Sequence, residues 1–147
     1  VIWHNVKWGQ AADAKVIEDI LSKEDDIKAI MVQASETSTT VAHPIEALSK
    51  LTHDRNDILL LVDGITGVGV FELPMDKWGI DAMITGSQKA LGLPPGLALV
   101  GLSEKAWRFN ENASCPRFYF DFKKERKNMR TEDDERMNGH PPLSSQV

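Results

Sequence analysis

Apolar positions along the chain fall into short blocks separated by polar and glycine-rich breaks, and the blocks follow two different periods. Between Gln10 and Lys23, residues Val16, Ile17, Ile20 and Leu21 recur at offsets that put them on one helical face, predicting a helix started near Asp13. Ile27 to Ala34 and Ile58 to Val62 are instead short continuous runs of Ile, Leu, Val, Met and Ala. That is how a strand buried on both faces of a parallel sheet reads. Pro44 suits the first turn of a second helix, on which Ile45, Leu48 and Leu51 share a face to about His53. Ile80 to Ile84 and Leu97 to Leu102 predict two more strands, and Ser103 is placed to cap a short helix through Lys105, Ala106 and Trp107. Val1 to Trp8 mixes β-branched and aromatic residues and reads as a strand or strand remnant that Gly9 ends.

Strand and helix therefore alternate, which predicts an α/β fold: a mostly parallel sheet with helices on both faces. In an open sheet of this kind ligands bind beyond the carboxyl ends of the strands. Ser38, Asp63 and Lys89 all fall there. Past Met129 the chain turns polar, with Glu132-Asp133-Asp134-Glu135 and Pro141-Pro142, so 130–147 is expected to be a flexible tail. Before it, Phe118-Tyr119-Phe120-Asp121-Phe122 forms an aromatic cluster and Lys123 to Lys127 a charged, solvated helix or loop.

Composition narrows the partners. A chain of 147 residues with 41% apolar and 27% charged residues can bury a core, and its net charge of −5 opposes the clustered positive charge that nucleic-acid phosphates require. No DNA or RNA partner is expected. No apolar run approaches the roughly 20 residues of a membrane span. The single cysteine, Cys115, allows no disulfide within the chain and fits a reducing compartment, the cytoplasm first, with peroxisome and mitochondrion left open. His4, His43, His53 and His140 lack ligand spacing, so no metal site is expected. The chain opens on Val1, inside an apolar run, and reads as a piece of something longer.

The stretch with most chemistry is Asp81-Ala82-Met83-Ile84-Thr85-Gly86-Ser87-Gln88-Lys89-Ala90-Leu91-Gly92-Leu93-Pro94-Pro95-Gly96. A strand gives way to small polar residues, presents one lysine, and breaks on Gly92 and Pro94-Pro95-Gly96. It is not a P-loop, because Gly-x4-Gly-Lys-Ser/Thr is absent, and Gly67-Val68-Gly69 lacks the third glycine of a dinucleotide fingerprint, which would fall at Glu72. Taken alone, a strand-end lysine is a solvated residue and a strand-end aspartate a turn-former or helix cap.

As a set, Gly86-Ser87-Gln88-Lys89-Ala90-Leu91 with Pro94-Pro95-Gly96 resembles the Schiff-base lysine segment of the class V aminotransferases, closest to their alanine–glyoxylate and serine–pyruvate branch. Leu61-Val62-Asp63-Gly64-Ile65-Thr66-Gly67-Val68-Gly69 resembles the family's carboxylate segment, and Glu36-Thr37-Ser38-Thr39 its Glu-Thr-Ser-Thr segment. The resemblance implies fold type I and the cofactor pyridoxal 5′-phosphate. It also implies transamination between a small amino acid, alanine or serine, and a small 2-oxo acid, glyoxylate or pyruvate. It makes Lys89 the catalytic, cofactor-holding amine and Asp63 the partner of the pyridine nitrogen. Ser38 would approach the phenolic oxygen, Gln88 the phosphate end and Ile65 the ring face.

This sequence departs from the family in three places. Thr40 stands where relatives carry glycine, and no counterpart is found for the upstream phosphate cup with its ring-stacking aromatic residue or for the C-terminal domain whose arginine holds the substrate carboxylate. The resemblance covers Val1 to about Met129, so 1–129 is expected to be part of a large cofactor-binding domain, less than half of an intact enzyme. Family members are homodimers with the site at the subunit interface. Two other readings compete: a truncated domain without a complete site, and a desulfurase or other class V lyase using Cys115 as nucleophile.

Overall fold

In the computed structural model, which describes residues 1–128, the elements run α1 (Ala14–Lys23), β1 (Ala29–Gln33), β2 (Ser35–Glu36), β3 (Val41–Ala42), α2 (Ile45–Lys50), β4 (Leu59–Asp63), α3 (Met75–Trp78), β5 (Ala82–Gly86), β6 (Ala98–Leu102) and α4 (Glu104–Asn112). Four strands form one sheet in the order β1-β4-β5-β6, and β2 pairs with β3 in a separate antiparallel ribbon. The pairs β1–β4 and β4–β5 are parallel, whereas β6 runs antiparallel to β5. The mixed α/β fold with a mostly parallel sheet is the one expected. The tail expected over 130–147 lies outside the described residues.

The register puts Ile30 beside Leu60, Val32 beside Val62, and Val62 beside Met83. These side chains share one face of the sheet, and Ile45 and Leu48 of α2, Ile17 of α1, and Met75 and Trp78 of α3 pack on it with Ala34 and Ile80. Leu60 and Val62 are fully buried. On the opposite face Met31, Ile84 and Val100 are exposed. α1 starts where the sequence places it, with the Asp13 carboxylate accepting from Lys15 N at 2.9 Å. Ser103 Oγ likewise accepts from Ala106 N at 3.0 Å at the start of α4.

Three sequence expectations change. Val1 to Trp8 is not a strand: Val1, Ile2, Trp3, Val6 and Trp8 are exposed, and Gln10 N bonds Lys7 O across a turn. β-propensity reflects packing on a pleated neighbour, and among the described residues this segment has none. Ser35 to Ala42, where the sequence predicts no element, folds back on itself as β2 and β3. Helix α2 ends at Lys50, short of His53, and 51–54 continues as turns.

At the amino-terminal edge of β4 and β5 the chain buries a charge pair that the sequence did not announce. Lys105 Nζ lies 2.8 Å from Asp81 Oδ2, and the two side chains keep only 11% and 2% of their surface. The ammonium also donates to the carbonyls of Thr52, Arg55 and Ile58 at 3.0 to 3.1 Å. Asp81 Oδ2 accepts from Leu60 N at 2.9 Å and Oδ1 from Ser103 Oγ at 2.7 Å. A buried charge is tolerated only when so fully paired.

By internal contacts the chain forms two compact units, Val1–Ala106 and a second that begins at Trp107. In the second, Arg117 bonds Asp121, Ala113 and Asn110, and residues 122–128 are helical, as expected for the charged run. Phe118, Tyr119 and Phe120 are exposed there, and Cys115 is an exposed free thiol. Among the described residues no helix is long and apolar enough to cross a membrane.

Candidate functional site

The carboxyl edge of the parallel strands is built by two loops. The first leaves β4 at Asp63, whose Oδ1 accepts from Ile65 N at 2.9 Å, a short-range turn that such a carboxylate forms readily. Gly64 N then donates to Ile84 O at 2.8 Å, tying this loop to β5. A Cβ on Gly64 would lie 2.8 Å from Val68 Cγ2 and 3.3 Å from Ile84 O, so glycine permits the close approach. A Cβ on Gly67 would lie 2.8 Å from that of Ala34, just past β1. Thr66 adds to this tie, its Oγ1 lying 2.6 Å from Ser35 Oγ.

The second loop, residues 87–97, leaves β5 and returns as β6, with Lys89 and Gln88 both exposed on it. Ser87, fully buried, donates from N to Leu97 O at 3.0 Å and from Oγ to Pro94 O at 2.6 Å. Its Oγ accepts from Leu97 N at 3.3 Å and its carbonyl from Leu93 N at 3.1 Å. Gln88 folds back over Gly86, where a Cβ would stand 2.7 Å from Gln88 Oε1. The two loops meet at Gly69, which adopts φ +81° and leaves only 3.0 Å between a built Cβ and Ala90 Cβ.

Ser38 is engaged locally. Its backbone N and its Oγ both donate to Glu36 Oε1, at 2.9 and 2.7 Å, and these bonds hold the Glu36 carboxyl below its ordinary range, the backbone one contributing most. The hydroxyl proton is therefore directed at Glu36, and a ligand oxygen would have to compete for it. Close by, Thr40 takes φ +57°, the conformation for which glycine is suited.

Of the five expected site residues, the geometry brings together the loops of Asp63, Ile65, Gln88 and Lys89, past the ends of adjacent strands. Ser38 follows β1, in the β2–β3 ribbon. Ile65 is half-buried and gives its N–H to Asp63. Three contributors escaped the sequence reading: Ser87, Gly69 and Gly86, each small and each quoted only as part of a motif. The available signal was a serine two positions before the lysine of a loop whose two prolines supply no N–H. His43 is half-buried, and its Nδ1 accepts from Ala12 N at 3.1 Å. A cavity of about 220 Å³ beside His43, Phe71 and Trp78 is lined by none of the five. Among the described residues no cluster of His, Cys, Asp and Glu is arranged to hold a metal ion.

The donor set can be tested against an aldehyde cofactor with a ring nitrogen and a phosphate. An exposed lysine supplies an amine, and Asp63 Oδ2, unlike Oδ1, has no hydrogen-bond partner among the described residues. One carboxylate oxygen is thus held by the backbone and the other is open to a ring N–H. These residues fit such a group.

The family model for aminotransferase class V matches residues 1–142, running past Met129 where the sequence resemblance was expected to end. The chain is 40% identical over 118 residues to serine–glyoxylate aminotransferase of Arabidopsis thaliana, covering 78% of this chain and 29% of that one. It is 38% identical over 122 residues to the small subunit of a soluble hydrogenase of Synechococcus, covering 82% and 32%. Alanine–glyoxylate aminotransferase of Nostoc superposes with a TM-score of 0.74 at 27% identity, covering 82% of this chain and 32% of that one. The chain therefore spans about a third of the length of the relatives it matches.

Proposed function

The chain belongs to the class V aminotransferases, enzymes of pyridoxal phosphate, and from that premise we propose that it forms the lysine-bearing part of an aminotransferase. The intact enzyme would exchange an amino group between a small amino acid, alanine or serine, and a small 2-oxo acid, glyoxylate or pyruvate. Relatives named for serine with glyoxylate and for alanine with glyoxylate support that choice. The site would be completed in a homodimer. An exposed free cysteine suits a reducing compartment such as the cytosol.

Bound pyridoxal phosphate supplies an electron sink that stabilises negative charge at the substrate's Cα. The rest falls to side chains. Lys89 Nζ would hold the cofactor and, once displaced by the incoming amine, move a proton between the substrate's Cα and the cofactor's C4′. Asp63 Oδ2 would accept from the ring N–H, with the carboxylate oriented by the Ile65 N–H on Oδ1. Gln88 would meet the phosphate end, Ile65 the ring face, and Ser38, on releasing Glu36, the phenolic oxygen. The single observation that carries the reading is the approach of Gly69 to Ala90, which seats the Asp63 loop against the Lys89 loop.

Titration with pyridoxal phosphate, borohydride reduction and peptide mapping test it. One label on Lys89, lost in Lys89→Ala, is the expected result. Label spread evenly over the lysines, in the same amount in both proteins, would overturn the assignment.

A further inference from the structure

We propose that Ser87 is the positioning residue for Lys89, acting by closing the loop of residues 87–97 that carries the amine; this rests on the reading of Lys89 above. Every residue from Gln88 to Leu97 is exposed, whereas Ser87 is fully buried. The loop thus has no buried side chain of its own, and apart from the approach of Ala90 to Gly69 its shape comes from hydrogen bonds. Ser87 supplies four of them. Its N and O bond Leu97 O and Leu93 N, and its Oγ donates to Pro94 O while accepting from Leu97 N.

The sequence explains why a side chain is needed there. Pro94 and Pro95 have no N–H, so the turn cannot close on a ladder of its own. Gly92 and Gly96, at φ +68° and +134°, reverse the backbone on either side of the prolines. The Ser87 hydroxyl reaches Pro94 O across the gap the prolines leave, and it also receives the Leu97 amide where β6 is about to begin. Lys89 is two residues along from this clamp, and Gly92 N bonds Lys89 O at 3.0 Å, so the turn bearing the amine hangs from Ser87. With no surface of its own open to a ligand, Ser87 acts through the loop and not by touching the cofactor.

The test compares the unchanged chain with Ser87→Ala and Ser87→Thr, with and without pyridoxal phosphate. Without cofactor, tryptic cleavage after Lys89 should be ~10-fold faster in Ser87→Ala, the order expected when a buried donor and acceptor lose their partner and the loop opens locally. With cofactor and borohydride, the share of label on Lys89 should fall toward that of the other lysines while far-UV circular dichroism is unchanged, and Ser87→Thr, which keeps the hydroxyl, should regain it. A folded Ser87→Ala with unchanged cleavage and unchanged label overturns the proposal. Should that variant not fold, hydrogen exchange on the unchanged chain decides. The Leu93 and Leu97 amides must exchange ~10-fold more slowly than those of Ala90 and Leu91, and uniform exchange around the loop overturns it. If the unchanged chain takes no selective label yet Ser87→Ala still speeds cleavage after Lys89, the cofactor reading fails and the positioning of Lys89 stands.

Discussion

Replacing Lys105 with Met keeps most of the stem's volume and removes its ammonium. In the native chain that ammonium sits 2.8 Å from Asp81 and donates to three carbonyls, beside a carboxylate with 2% of its side-chain surface exposed. Removing one member of a buried pair costs ~3–5 kcal/mol, because the other charge stays buried without its counter-ion. The orphaned carbonyls of Thr52, Arg55 and Ile58 lie within the same network, so their loss is counted inside that range and not added to it. A domain of this size holds ~5–15 kcal/mol in all, so Lys105→Met should remove about a fifth or more of the stability. Urea unfolding followed by far-UV circular dichroism reads this as a lower midpoint at an unchanged slope. The double variant Lys105→Met, Asp81→Leu should recover part of the loss, since it removes the unpaired buried carboxylate while the Leu60 N–H and the three carbonyls stay without their partners. A loss below ~1 kcal/mol in the single variant, or no recovery in the double, would refute the account of the pair as a buried, mutually dependent one.

Thr40→Gly should stabilise the chain by ~1 kcal/mol: an L residue with positive φ costs ~1–2 kcal/mol, partly offset by glycine's freedom when unfolded. Thr40→Ala should give no such gain, and equal urea midpoints for Gly and Ala would count against the backbone explanation. The Glu36 carboxyl is held below its ordinary range by Ser38, so its contact is fully present above the ordinary carboxylate value and is lost as pH falls through the lowered one. The Ser38 amide shift, followed by NMR, should titrate below that ordinary value and move back toward it in Glu36's titration when Ser38 becomes Ala. A titration unaltered by Ser38→Ala would contradict the part assigned to the hydroxyl, the backbone bond being kept.

Much of the sheet is legible in the chain because buried parallel strands are apolar without alternation, as Ile58 to Val62 is. The direction of β6 is not carried by periodicity. It follows from the 87–97 connection, which holds no crossover helix and so joins antiparallel neighbours more readily than parallel ones. Val1 to Trp8 misled for the complementary reason, since β-branched and aromatic residues make a strand only against a partner. Lys105 and Asp81 could not be read as a pair. One stands in the first turn of a helix and the other before a strand, and only the fold brings them together. At the candidate site, Lys89 and Asp63 stand out only by resemblance to known motifs. Their supports, Ser87 and Gly69, act through a buried hydroxyl and a missing Cβ, which no residue pattern displays.

Strand β5 works as a ruler. Asp81 precedes it and Ser87 follows it, six residues apart, a span of ~20 Å at ~3.3 Å per extended residue. Asp81 is locked to Leu60 twice, through its own N–H to Leu60 O and through its carboxylate to Leu60 N, so β5 cannot slide along β4 without breaking both. A slip of one residue would carry Lys89 ~3.3 Å along the strand and exchange the two faces of β5. The buried ion pair at one end of the sheet therefore indexes the strand, and the amine at the other end is delivered at the mark that index sets.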